Sequence, residues 1–130
     1  MTPTARTLTA LRRAGYIACV VERWIAQKGI RRDCYGFADI LAARPLERRI
    51  VLIQATTLPN VSARVAKIRS KPEASAWLKS GGAIEVWGWS KRGDRWRVKI
   101  VAMRADDLEA VVITKPGRKP RGNWQPATLF

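Results

Sequence analysis

Two neighbouring stretches decide the fold: Phe37-Ala38-Asp39-Ile40-Leu41 and Ile50-Val51-Leu52-Ile53-Gln54-Ala55-Thr56-Thr57. Both are apolar and β-branched, and they read as parts of two strands, Asp33–Ala43 and Arg49–Thr57. Between them Arg44-Pro45-Leu46-Glu47-Arg48 is a hairpin loop. A hairpin centred between Leu46 and Glu47 pairs residues whose numbers sum to 93. Asp39 then lies across from Gln54, with Cβ atoms about 5 Å apart. Alternation puts Ile50, Leu52, Gln54 and Thr56 on one face, and a slip of one residue would send all of them to the other. Asp39 is the odd residue in this pattern. A carboxylate among Phe37, Ile40 and Leu41 is costly unless it is paired or holds a metal.

Working outward, Thr4–Ala14 reads as a helix, with Leu8 and Leu11 at helical spacing, Arg12-Arg13 at its end and Gly15 as the stop. Tyr16–Glu22 reads as a strand, and Trp24–Arg31 as a turn or a short helical piece. Beyond the hairpin, Val61, Val65 and Ile68 mark an amphipathic helix over Asn60–Ser80, restarted at Pro72 and ended by Gly81-Gly82. Ala83–Ser90 and Arg95–Ala102 alternate around a Lys91-Arg92-Gly93-Asp94 turn, with Arg95, Arg97 and Lys99 on one face of the second strand and Trp96, Val98, Ile100 and Ala102 on the other. Trp87, Trp89 and Trp96 read as sheet core, with a base-stacking platform as the alternative use. Leu108–Ile113 is a last short strand. The order α-β-β-β-α-β-β predicts an α/β (α+β) fold, a central mixed β-sheet flanked by helices. Residues 1–114 form one domain in this reading, and 115–130 a basic, flexible C-terminal tail.

Composition narrows the chemistry. The chain has 130 residues, with 25 Lys and Arg against 10 Asp and Glu, no His and two Cys, for a formal net charge of +15. Basic groups outnumber acidic ones 11 to 4 in residues 1–65 and 14 to 6 in residues 66–130, so no single tail carries the excess. Such a charge points to a polyanion, and the 17 Arg among these residues suit bidentate phosphate contacts. The absence of His removes Ser-His-Asp triads, Cys-His pairs and His-based zinc sites. Cys19 and Cys34 are too few for a structural zinc or a disulfide framework. The longest apolar run, Ile17–Val21, is too short to span a membrane, and Met1–Thr4 lacks the pattern of a secretory signal. A cytoplasmic protein with reduced thiols and no membrane partner is expected.

Asp39 on one strand, Gln54-Ala55-Thr56 on the next, and then a helix resemble the PD-(D/E)XK, or restriction-endonuclease-like, nuclease superfamily. Its α-β-β-β-α-β core matches the reading from about Thr4 to Ser90. In that family an Asp and a Glu (Gln in some branches) bind Mg²⁺ with a backbone carbonyl, and a Lys two residues after the Glu positions or activates water. The resemblance makes Asp39 the PD acid, Gln54 the second ligand and the Ala55 carbonyl the third. It places Thr56 where the lysine stands, and Glu22 where some branches carry a further acid. Thr56 has no charge, so a substitute cation must come from the following helix, where Arg64, Lys67 and Lys71 line one stripe; Lys67 is preferred. The run Arg31–Leu41 also resembles phage and prophage members. The resemblance implies a Mg²⁺-dependent endonuclease (Mn²⁺ as the alternative ion) that acts on duplex or branched DNA, with structure-selective, resolvase-like cleavage as one form of that activity and a homodimer as the assembly. Arg64, Lys67, Arg95, Arg97 and Lys99 are the expected DNA contacts.

Each residue also has a plainer reading. Asp39 could sit at a turn or bulge with Arg31 or Arg32, and Gln54 could be a satisfied core amide. Glu22 beside Arg23 and Asp33 beside Arg31-Arg32 could be local pairs, and Lys67 part of a solvated stripe. The corresponding alternative function is a non-catalytic nucleic-acid-binding protein on the same fold.

Overall fold

A computed structural model describes residues 1–105 and 108–113. Its elements follow in the order α1 (Pro3–Arg13), β1 (Ile17–Val20), β2 (Arg23–Ile25), β3 (Ile30–Arg32), β4 (Ile40–Arg44), β5 (Arg49–Thr57), α2 (Val61–Arg69), α3 (Pro72–Lys79), β6 (Ala83–Arg92), β7 (Arg95–Met103) and β8 (Ala110–Ile113). Six strands form one mixed sheet in the order β1-β4-β5-β6-β7-β8, and β2 and β3 form a separate two-stranded sheet. All neighbours are antiparallel except β5 and β6, whose parallel pairing is made possible by the crossover through α2 and α3. The expected basic tail lies outside the described residues. No helix among the described residues is long and apolar enough to cross a membrane.

The central hairpin has the expected register. Ile40 faces Ile53 and Leu41 faces Leu52. The Asp39 N–H donates to the Ile53 carbonyl at 2.9 Å, extending the ladder so that Asp39 sits opposite Gln54. Pro45–Glu47 turns the chain as a short 3₁₀ segment, closed by Arg48 in the left-handed region.

Alternation along the strands builds two cores. Leu52, Ile84, Val86 and Val101 pack with Phe37 and the α2–α3 residues Val61, Val65, Ile68, Ala74 and Leu78. Val51, Ile53, Ile40, Trp87 and Ile100 pack on the opposite face with Leu11 of α1. Helix α1 begins at Thr2, whose Oγ1 accepts the Ala5 N–H at 3.1 Å, and ends on Arg12 and Arg13. The buried Trp indoles find partners: Trp89 Nε1 donates to Thr7 Oγ1 and Trp87 Nε1 to Glu85 Oε1, both at 2.9 Å. Glu85 is ion-paired with Arg49, which also donates to the Tyr16 hydroxyl at 3.0 Å.

Four expectations need correction. Asp33–Ala43 is not one strand: Tyr35 and Gly36 have φ of 54° and 79°, a conformation that breaks extended backbone, and the strand begins only at Ile40. Asp39 therefore precedes β4 instead of lying within it. Tyr16–Glu22 is strand only over Ile17–Val20, so Glu22 lies on the segment leaving β1. Trp24–Arg31 is not helical: residues 26–29 form the expected turn, but the residues on either side of it pair as the β2–β3 hairpin. Trp96 is not core: it is 43% exposed, with the Arg6 guanidinium stacked 3.5 Å from its ring centroid.

Candidate metal centre

The turn that ends the expected strand also builds the site. Cys34 and Ala38 bridge each other, with N–H···O distances of 2.9 Å both ways. This loop folds Asp33 back beside Asp39. From the other side, the Val21 N–H donates to the Asp39 carbonyl at 2.8 Å and ties down the segment carrying Glu22. Carboxylate oxygens of Glu22, Asp33 and Asp39 consequently lie within 4.8 Å of one another.

Asp39 is the most buried of the three, at 5% exposure. Its Oδ2 accepts the Gln54 Nε2 amide at 2.7 Å and the Ala55 N–H at 2.9 Å. Burial pushes its pKa up to about 7, against the lowering effect of the Ala55 N–H; the nearby Asp33 and Glu22 charges raise it further. Two cations approach the cluster rim. Lys67 Nζ of α2 is 3.6 Å from Asp33 Oδ2, and Arg31 of β3 donates to Glu22 Oε1 at 3.1 Å.

The structure thus brings Glu22, Asp39, Gln54, Ala55 and Lys67 together. Gln54 differs from the expected role: as placed, its amide nitrogen orients Asp39, and its Oε1 is buried without a hydrogen-bond partner. Ala55 touches Asp39 through its N–H; in an extended strand its carbonyl points to the same edge. Thr56 is buried two residues on, and Arg64 is half-buried one turn before Lys67. Arg95, Arg97 and Lys99 are exposed on β7, two strands from Gln54. Lys99 faces Gly88, and the registers place Gly88 on the same side of the sheet as Gln54, where Leu58 and Val61 cover it, so Arg95, Arg97 and Lys99 share the sheet face of the site two strands away. Asp33 is the site residue that sequence reasoning passed over as a local pair. Beside the acids, burial raises the thiol pKa of Cys34, which disfavours its thiolate.

The donor set suits a hard divalent cation. Three carboxylates lie close together, Asp39 is held where burial first and its acidic neighbours second disfavour its charge, and the Gln54 amide that contacts it has a buried oxygen without a hydrogen-bond partner. Glu22, Asp33 and Asp39 would hold the ion, and rotation of the Gln54 amide would add its oxygen. No known protein family, curated protein or solved structure matches the chain.

Proposed function

We propose that this protein is a divalent-metal-dependent endonuclease that hydrolyses phosphodiester bonds in DNA. The observation that carries this reading is the convergence of Glu22, Asp33 and Asp39 beneath the Lys67 ammonium. A restriction-endonuclease-like core is supported by the element order. With the β2–β3 hairpin set aside, α1-β1-β4-β5-α2-β6 reproduces α-β-β-β-α-β, and Asp39 faces Gln54 across the middle pair.

Bound at the acids, Mg²⁺ or Mn²⁺ would supply charge to a scissile phosphate and make a water more acidic. The chain's own groups do the positioning. Gln54 and the Ala55 N–H both donate to Oδ2 of Asp39 and so fix the orientation of its carboxylate beside Asp33 and Glu22. Lys67 brings to the rim the positive charge that Thr56 lacks, where it can meet a phosphate oxygen in exchange for Asp33. The resemblance also supports a homodimer and a cytoplasmic role in a bacterial host of a phage or prophage.

A second reading, a DNA-binding protein without catalysis, is favoured by one observation: Gln54 donates to Asp39 where the family usually has a second charged ligand. Nicking of supercoiled and branched DNA in Mg²⁺ and Mn²⁺ separates the two. The nuclease reading expects metal-dependent nicking by the wild type and none by Asp39→Ala. Equal cleavage by both proteins, or none by either, selects the binding protein.

A further inference from the structure

The β2–β3 hairpin stands outside the six-stranded sheet, and its composition is unlike that of a structural ribbon. Arg23 faces Arg32, Trp24 faces Arg31, and Ile25 faces Ile30. Directly opposed like charges destabilise a strand pair, and a two-stranded sheet has little stability to spare. Arg23 and Arg32 are both exposed, and among the described residues neither is ion-paired with an acid. A polyanion would relieve this repulsion. On the other face, Trp24 is 59% exposed, although Trp is among the residues that gain most from burial. It lines a cleft of about 370 Å³ with Arg31, Glu22, Val20, Thr2 and Thr4. The N-terminus of α1 opens on the same cleft, with no acidic residue in its first turn, so its dipole favours a phosphate there. Glu22 belongs both to this cleft and to the acid cluster, so whatever occupies the cleft lies next to the proposed metal centre.

We propose that the β2–β3 hairpin is a DNA-binding finger in which Trp24 stacks on an unpaired base while Arg23 and Arg32 hold neighbouring phosphates. Within a duplex the base faces are already stacked, so an exposed Trp platform selects strands with unpaired nucleotides, such as a flap or a branch. The inference rests on the reading of this chain as a DNA-acting protein and adds the substrate class: DNA with unpaired nucleotides beside the scissile phosphate.

The test is fluorescence anisotropy in EDTA with two labelled DNAs, a plain duplex and the same duplex carrying a single-stranded flap. The wild type will prefer the flap. Trp24→Ala will lose roughly 5- to 100-fold in flap affinity and little in duplex affinity, and Trp24→Phe will recover most of the loss. The Arg23→Gln/Arg32→Gln variant will reduce the salt dependence on both DNAs, by about 2 in the log–log slope. A 2-aminopurine placed in the flap reads stacking in the wild type without any variant, and its fluorescence will fall on binding. Equal wild-type affinity for the two DNAs, unchanged flap affinity in Trp24→Ala, or unquenched 2-aminopurine would overturn the proposal. The two readings fail separately. Flap-selective stacking without metal-dependent cleavage leaves the finger and removes the nuclease; cleavage with no flap preference does the reverse.

Discussion

Asp39 is a carboxylate held where burial and two other acids oppose its charge. Its folded-state pKa, raised from 3.8 to about 7, fixes the sign of the pH dependence. The folded chain binds this proton more tightly than the unfolded one. The contribution of Asp39 to stability is therefore full below about pH 4 and is lost as pH rises through about 7. In metal-free protein, Asp39→Asn has no such group to titrate. Its side chain still accepts from Ala55 and donates toward Asp33. Urea denaturation will show Asp39→Asn more stable than wild type at pH 8, by about 1–3 kcal/mol, with the gap closing toward pH 4. Equal stability at both pH values would contradict the strain assigned to this site. Gln54→Glu makes the complementary case. It replaces a donor with a fourth acid against Asp39, so the metal-free protein will melt at lower temperature and Mg²⁺ will raise its melting temperature more than that of wild type. The Asp39–Gln54 pairing was legible because the apolar pattern and the loop length together dictate the hairpin register. The role of Asp33 was not, because it depends on a loop turned by Tyr35 and Gly36, and a local Arg31-Arg32 neighbour explains the residue equally well from sequence.

At the scale of elements, the site depends on the seating of the β5–α2 connection. A Cβ built on Gly88 would lie 2.2 Å from Val61 Cγ2 and 3.2 Å from Leu58 Cα, so β6 must carry Gly for this segment to close over the sheet. Gly88→Ala will destabilise the fold by about 1–3 kcal/mol through overpacking, measured by chemical denaturation. On the other face, Arg49 of β5 and Glu85 of β6 are buried together, with Tyr16 beside them. Arg49→Leu leaves a buried carboxylate unpaired and will cost about 3–5 kcal/mol, whereas Arg49→Leu/Glu85→Leu will recover most of that loss. A double variant as unstable as the single one would show that the pair contributes more than mutual neutralisation. The strands of the large sheet were legible because one or both faces are apolar. The β2–β3 hairpin escaped detection because Arg23-Trp24-Ile25 and Ile30-Arg31-Arg32 bury neither face against the sheet, which removes the alternation by which strands are recognised. Trp96 misled for a related reason: its strand alternates correctly, but β7 runs past the end of the α1 core and leaves the ring to Arg6.

For the molecule as a whole, a net charge of +15 surrounds one small, locally acidic cluster. The dispersed cations supply affinity that does not depend on the acids, so DNA binding will weaken steeply as salt rises, and Asp39→Ala will bind with nearly wild-type affinity. The charge is read directly from the sequence, and it is what motivates the proposal of a polyanionic partner. The acid cluster was less so, because its members come from the exit of β1, a turn and the entry to β4, and only the folded chain joins them. The proposed chemistry requires that this cluster hold a divalent ion. Titrating Mn²⁺ into the metal-free chain by calorimetry asks this directly. One ion per chain is predicted for the wild type, with binding lost in Asp39→Ala and weakened in Glu22→Gln and Asp33→Asn. No binding by the wild type, or undiminished binding by Asp39→Ala, would contradict the claim.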